Sequence, residues 1–197
     1  MIVWINGAFG SGKTQTAHEL HRRVPESFIF DPEVTGFYIR KQMPRTLQTK
    51  DFQDNVLWRD INYQLLKEIM AQSNSTIIVP MTVVHPPYFE EIIGRLRADG
   101  IIVHHFTLCA SEQTLLRRLK KRGEGKNSWA ALQIKRCIEG HSNAIFEQKV
   151  DTNHMTIDEV VQYIADQLPM DVLPDTRGTV RKTWDRVMTQ WKHIRFF

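Results

Sequence analysis

Cysteine is nearly absent from this chain. There are two in 197 residues, Cys109 and Cys137, far apart and without ligand spacing around either. That excludes a disulfide framework and a cysteine-built metal site and points to a reducing compartment, although the two could still pair with each other. Long apolar runs are missing as well, and none approaches the ~20 residues that a spanning helix needs. Met1 leads straight into a short apolar stretch, which leaves no room for a secretory leader, so the expectation is a cytoplasmic protein. Neither an internal repeat nor a low-complexity segment interrupts the chain. A basic excess is absent from most of it too. Residues 1–176 hold twenty Lys/Arg against twenty-one Asp/Glu, whereas from Arg177 onward six Lys/Arg face one acid, Asp185. The net charge of +4 therefore belongs to the tail, and the body carries no footprint for nucleic acid.

What is present is concentrated at the start. Gly7-Ala8-Phe9-Gly10-Ser11-Gly12-Lys13-Thr14 matches G-x-x-x-x-G-K-[ST], the phosphate-binding loop. Met1–Asn6 before it reads as a buried parallel strand, and Thr14–Arg22 after it as a helix. The chemistry requires that order. Glycines let the backbone curl its N–H groups around a phosphate, and the helix N-terminus adds unpaired donors. Lys13 supplies a charge for the β/γ-phosphates and Thr14 a hydroxyl for Mg²⁺. The expected cofactors are ATP and Mg²⁺, held by Gly7, Ala8, Phe9, Gly10, Ser11, Gly12, Lys13, Thr14 and Gln15, with Thr14 on the metal.

Along the rest of the chain, strands and helices alternate. Strands are expected at Phe28–Phe30, Thr76–Val79, Ile101–Leu108 and Lys149–Thr152. A helix is expected where Leu57, Ile61, Leu65 and Ile69 recur at spacing four, and others at 87–98, 111–122, 128–138 and 156–164. This pattern predicts an α/β fold with a doubly wound parallel sheet. The expected organisation is a domain over 1–168, a linker over 169–178 and a C-terminal helix over 179–197. In that helix Val180, Trp184, Val187, Met188, Trp191 and Ile194 share one face, while Arg181, Lys182, Arg186, Lys192 and Arg195 lie elsewhere. Periodicity alone allows either a last helix packed on the domain or a basic amphipathic helix lying on an anionic membrane surface.

The chain resembles the small phosphate-loop kinases of nucleotides, shikimate and gluconate. The resemblance implies a five-stranded sheet in the order 2-3-1-4-5, an acceptor pocket between the second and third strands, and an arginine-rich lid after the fourth. Longer strings narrow it. Trp4–Thr16, Val79–Pro86, Ile92–Arg97 and Glu124–Ala131 are similar to the tunicamycin-resistance family, over nearly the whole chain. That family implies ATP binding, association with the inner face of the cell membrane, and resistance to tunicamycin, a nucleoside antibiotic with an acyl chain.

Phosphoryl transfer needs charge neutralisation and an oriented acceptor as well as the loop. Arg118-Leu119-Lys120-Lys121-Arg122 resembles the R-L-x-x-R run of such kinases. It makes Arg118 and Arg122 candidates for catalysis beside Lys13, and Arg117 a candidate for nucleotide contact, against an ordinary solvated helix face. Asp31, at the end of the second strand, is the candidate that orients or deprotonates the acceptor. As Asp-Pro it is equally suited to cap a helix, and Glu33 is a weaker substitute. Phe37, Tyr38, Phe52, Trp58 and Arg59 are expected near the acceptor, with ordinary core packing as the alternative for all of them and the preferred one for Phe52. Thr82 and His85, beyond the third strand, complete the set. The third strand ends Val79-Pro80-Met81-Thr82, without the acid that many such enzymes place on the metal. Three readings follow: a tunicamycin kinase, an ATP-gated tunicamycin binder without catalysis, and a nucleotide or sugar kinase.

Overall fold

The computed structural model describes residues 1–169 and 171–192. Five parallel strands form one sheet in the order β2-β3-β1-β4-β5: β1 (Ile2–Gly7), β2 (Ser27–Ile29), β3 (Thr76–Pro80), β4 (Val103–Cys109) and β5 (Lys149–Asp151). The order is the one expected. β1 lies at the centre and every residue of it is buried. Its side chains alternate between faces: Ile2 and Trp4 join one apolar cluster, Val3 and Ile5 the other.

Helices cover both faces. α1 (Lys13–Arg23) and α7 (Ile157–Asp166) close the second cluster, where Leu20, Val161 and Ile164 are fully buried. The first cluster lies under α2 (Pro32–Gln42), α3 (Val56–Gln72) and α4, a continuous helix over 86–98 interrupted by a π-turn at Glu90–Gly94. α5 (Glu112–Lys121) and α6 (Trp129–Gly140) form a third cluster beside the phosphate loop. The side chains of Ser111 and Ser128 cap α5 and α6, and Thr156 and Glu159 form a full capping box on α7.

Three expectations shift. β2 runs one residue earlier, although Phe30 still donates its N–H to the Ile78 carbonyl. β4 begins at Val103, with Ile101 and Ile102 leading into it after the turn at Asp99 and Gly100 and the Ile102 carbonyl already accepting the Ile2 N–H. The stripe on α3 is rotated. Leu57 and Leu65 are 47% and 44% exposed, and the buried face is Trp58, Arg59, Asn62, Tyr63 and Leu66. Spacing four advances about 40° per step around a helix, so a run from 57 to 69 drifts about 120° and cannot share one buried face.

The expected linker is laid against the body. Leu173 and Arg23 exchange two hydrogen bonds of 2.8 Å, one from the Leu173 N–H and one from the Arg23 guanidinium. α8 (Thr179–Lys192) then docks on α1. The docking face is the polar one. Glu19 of α1, wholly buried, pairs with Arg22 (3.0 Å), with Arg177 and with Arg186 (3.6 Å). Arg177 also reaches Asp175 and Asp185, Lys182 reaches Asp175, and Arg186 reaches Asp158 at 2.8 Å. The apolar face turns outward, with Val180 86% and Trp184 65% exposed and Val187 and Met188 beside them. The sequence expectation for Ile194 and Arg195 lies outside the described residues.

Candidate functional site

The loop leaves β1 at Gly7 (φ +144°) and enters α1 at Gly12 (φ +102°), both in backbone regions that a side chain resists. A Cβ on Gly7 would stand 2.6 Å from the Leu108 carbonyl oxygen, so the loop is wedged against the end of β4. α1 starts without a side-chain cap and without an acid in its first turn, which leaves its N-terminal donors available to an anion. The Ser11 hydroxyl is buried with no protein partner.

Lys13 folds back across the loop, its Nζ donating to the Ala8 carbonyl at 3.1 Å and lying 5.5 Å from the centre of the Phe9 ring. Burial pulls its pKa down to about 8, with Arg122 pushing the same way while Cys137 and Glu33 partly restore the charge. An ammonium held in so poor a solvent gains most from an arriving polyphosphate. Thr14 stands beside it in the first turn of α1. One hydroxyl, with phosphate oxygens and water to complete the shell, is a donor set that suits Mg²⁺.

The residues expected near the acceptor lie in α2, in α3 and in the segments beside them. Asp31 caps α2, its Oδ1 accepting the Glu33 N–H at 3.0 Å. Glu33, half-buried in the first turn, is the carboxylate whose charge Lys13 feels. Phe37 and Phe52 meet edge to face at 6.1 Å, and Tyr38, the next residue of α2, is exposed. Trp58 and Arg59 are core residues and do not line a pocket. Trp58 is fully buried with its indole N–H on the Pro32 carbonyl at 2.8 Å. Arg59 is spent on Glu91 (2.6 Å) and the Gln53 carbonyl, and stacks on Tyr88. Both lie on the true inner face of α3, which the spacing-four stripe hides. Thr82 donates its hydroxyl to the Gly7 carbonyl at 2.8 Å, bracing the loop from the end of β3. His85 opens α4 at the surface, its ring against Tyr88.

Of the three arginines, Arg122 is the one whose charge reaches Lys13. Arg117 bonds Thr114 within α5, and Arg118 grips Thr152 at the end of β5 by its hydroxyl and its carbonyl. The segment after Arg122 comes back to the loop: Trp129, first residue of α6, meets the Phe9 ring edge to face at 4.9 Å. Further along α6, Arg136 reaches Asp51 at 3.1 Å and so joins α6 to the segment that precedes α3. Arg136 was not legible in the sequence, where it is one cation in an ordinary helix.

A polar network beneath the loop was also not anticipated. Asn6 is fully buried and bonded to Gly7, Val83, His105 and His141. An Asn closing the apolar run Ile2-Val3-Trp4-Ile5 was the available signal, because a buried amide requires partners. Glu19, Asp158 and Asp175 come close enough to share a cation, but the guanidinium and ammonium groups of the tail already pair with them.

A family model described as an AAA domain matches residues 2–138. Among solved structures, the tunicamycin resistance protein of Deinococcus radiodurans is 31% identical, with a TM-score of 0.76, over 88% of this chain and 98% of that one. A sugar kinase from a Janibacter species (15% identity, TM-score 0.62, 86% and 94% of the two chains) and a gluconokinase from Sinorhizobium meliloti (17%, 0.56, 81% and 86%) share the fold. No curated protein sequence matches.

Proposed function

The chain belongs to the tunicamycin-resistance family within the AAA-domain proteins, and on that footing we propose that it is an ATP-dependent phosphotransferase acting on a hydroxyl of tunicamycin. The observation that carries this reading is Lys13, half-buried and folded back across the loop onto the Ala8 carbonyl, where the charges of Glu33 and Arg122 act on it. Loop N–H groups and Lys13 would hold the β- and γ-phosphates, and Arg122 would offset the charge that grows on the γ-phosphoryl group. Bound Mg²⁺, held through Thr14, would supply further neutralisation. Asp31 or Glu33 would orient the acceptor hydroxyl and take its proton as the new P–O bond forms and ADP departs. Phe37, Phe52 and Tyr38 present aromatic surface suited to a nucleoside face or an acyl chain.

A second reading has its own observation. The end of β3 carries no carboxylate, and the Thr82 hydroxyl there is committed to Gly7. A site so built would close on the drug with ATP and sequester it without transfer. Mass spectrometry of tunicamycin incubated with protein, ATP and Mg²⁺ separates the two. Drug heavier by one phosphoryl group with the wild type and not with Lys13→Ala establishes transfer. Unmodified drug, bound tightly only with ATP, establishes sequestration. Turnover on common nucleosides or sugars without the drug would replace both readings with a nucleotide or sugar kinase.

We infer also that α8 holds the protein on an anionic membrane surface, at the inner face of the cell membrane. Its outward Val180, Trp184, Val187 and Met188 support this. No helix among the described residues is long and apolar enough to cross a membrane. With Arg177, Lys182 and Arg186 paired to the body, apolar insertion supplies more of the attraction than charge does. Sedimentation with phosphatidylglycerol vesicles, lost on truncation before Thr179, is the expected result. Unchanged sedimentation of the truncated protein would rule the tail out.

A further inference from the structure

The network under the loop involves two histidines and an amide that the proposed reaction does not use. Asn6 is the last residue but one of β1, immediately before the first loop glycine. Its Oδ1 accepts the Gly7 N–H at 2.8 Å and the Val83 N–H at 2.9 Å, which identifies it as the carbonyl side of the amide. Its Nδ2 donates to the Val83 carbonyl at 2.8 Å and lies 3.2 Å from His105 Nε2. That imidazole nitrogen must therefore accept. His141 Nε2 stands 3.1 Å from both Asn6 Oδ1 and the Val83 carbonyl oxygen, two acceptors, and must therefore carry a proton. The bond from Asn6 requires His105 neutral, while His141 needs only its Nε2 proton. Burial keeps both imidazoles neutral, holding His105 down at about 3 and His141 at about 4.

The consequence falls on the loop. Gly7 receives its N–H direction from Asn6 and its carbonyl direction from Thr82, so its orientation is set before any phosphate arrives. His141 follows the last residue of α6, and α6 meets the loop at both ends: Trp129 on Phe9, His141 on Asn6. The end of α6 is pressed so close that a Cβ on Gly140 would stand 2.8 Å from the Val84 carbonyl. We propose that Asn6 and His141 are paired positioning residues of the phosphate loop, His141 locking the Asn6 amide in the orientation that aims Gly7 and so linking the seating of α6 to nucleotide affinity. This rests on the reading that the loop binds ATP.

The test is calorimetric titration of Mg·ATP into wild type, His141→Ala, His141→Gln, Asn6→Asp and the Asn6→Asp/His141→Ala double variant, with Lys13→Ala alongside. Losing the His141 donor should weaken ATP binding about tenfold, and Asn6→Asp, which turns an acceptor on the Val83 carbonyl and His105, about thirtyfold. Gln at 141 restores an N–H donor and should return affinity to within about threefold of wild type, which a general packing role for the imidazole would not do. The double variant should bind no worse than Asn6→Asp alone, because the two act as one unit. Wild-type affinity in both His141 variants, or losses that simply add, would overturn the proposal. Should His141→Ala not fold, His141→Asn against His141→Gln decides on reach alone: equal affinity in both would overturn it. Wild type that binds no ATP would instead overturn the nucleotide reading, while wild-type binding lost in Lys13→Ala with intact His141 variants would overturn this inference only.

Discussion

Beneath the phosphate loop, Asn6, His105 and His141 hold one another without a formal charge. Along the side of α1, Glu19, Asp158, Asp175 and Asp185 face Arg22, Arg177, Lys182 and Arg186. Both clusters join segments far apart in sequence, and both bear on α1 or the loop that opens it. They differ in what can undo them. The neutral network depends on which atom donates and which accepts, so it is indifferent to salt and vulnerable to a proton. The ionic clasp depends on charge and partial burial, so it tolerates mild acid and weakens as counterions or a lost partner leave charges uncompensated. Ligand geometry has been entrusted to the neutral cluster, and attachment of the tail to the charged one.

The comparison breaks first at its centre. Asn6→Leu would strand the Gly7 and Val83 N–H groups while His141 still serves the Val83 carbonyl, and at 1–3 kcal/mol for each orphaned group should cost about 4 kcal/mol in urea unfolding. A loss under about 1 kcal/mol would mean that the network is ornamental. Removing the hub of the clasp should cost less and act locally. Arg177→Ala leaves the buried Glu19 short of a partner, at about 3 kcal/mol, appearing as faster hydrogen exchange over 179–192. ATP affinity should stay within about twofold of wild type; a large loss would show that clasp and loop are one system.

Acid sharpens the contrast. A histidine whose folded pKa lies below its unfolded value near 6.5 takes up protons on unfolding, so stability falls as pH drops from about 6.5 toward the folded value. His141 and His105 should each contribute about 1.4 kcal/mol of loss per pH unit over the upper part of that window. Arg97 and His141 beside His105, and Lys13 and Lys149 beside His141, press in the same direction as burial. His141→Gln should flatten the slope by the share of one buried histidine, with His105 and the more exposed His21 and His104 still contributing. Arg177 holds the Asp175 carboxyl well below the usual carboxylate range, so its contribution is present above about pH 4 and disappears only as pH falls further. Hydrogen exchange at pH 5 should therefore find the network loosened and the clasp intact.

The smallest effect is a proton. With Lys13 near 8 in the free protein, phosphate binding should restore its full charge, so ATP binding at pH 8 takes up roughly half a proton. Calorimetry in two buffers of different ionisation enthalpy would read it. No uptake would mean that Lys13 is as solvated as a surface lysine.

How much of this could be read in advance follows from range. The loop is a local device, and Gly7, Gly10, Gly12, Lys13 and Thr14 declare it within eight residues. The alternation of short apolar strands with capped helices carried the sheet. The Asn6 network unites positions 6, 105 and 141, and no spacing rule connects them. Polar side chains in apolar strands were nonetheless a sign that partners must exist. The tail was open in a different way. Periodicity placed Val180, Trp184, Val187 and Met188 on one face but could not say which face docks. The acids that decide it, Glu19 and Asp158, belong to other helices. On α3 the error was angular, since a spacing of four slides off any single face.

The clasp also determines where a mechanical load would travel. α8 is fastened along the flank of α1 through Gln15, Glu19 and Arg22, Gln15 donating to the Arg186 carbonyl at 2.9 Å, and it has no strand of the sheet as a partner in these bonds. A pull on the tail is delivered as shear to the helix whose first turn carries Lys13 and Thr14. Whatever tethers the far side of α8 thus has its hand on the nucleotide end of the molecule, and the sheet serves as the anvil.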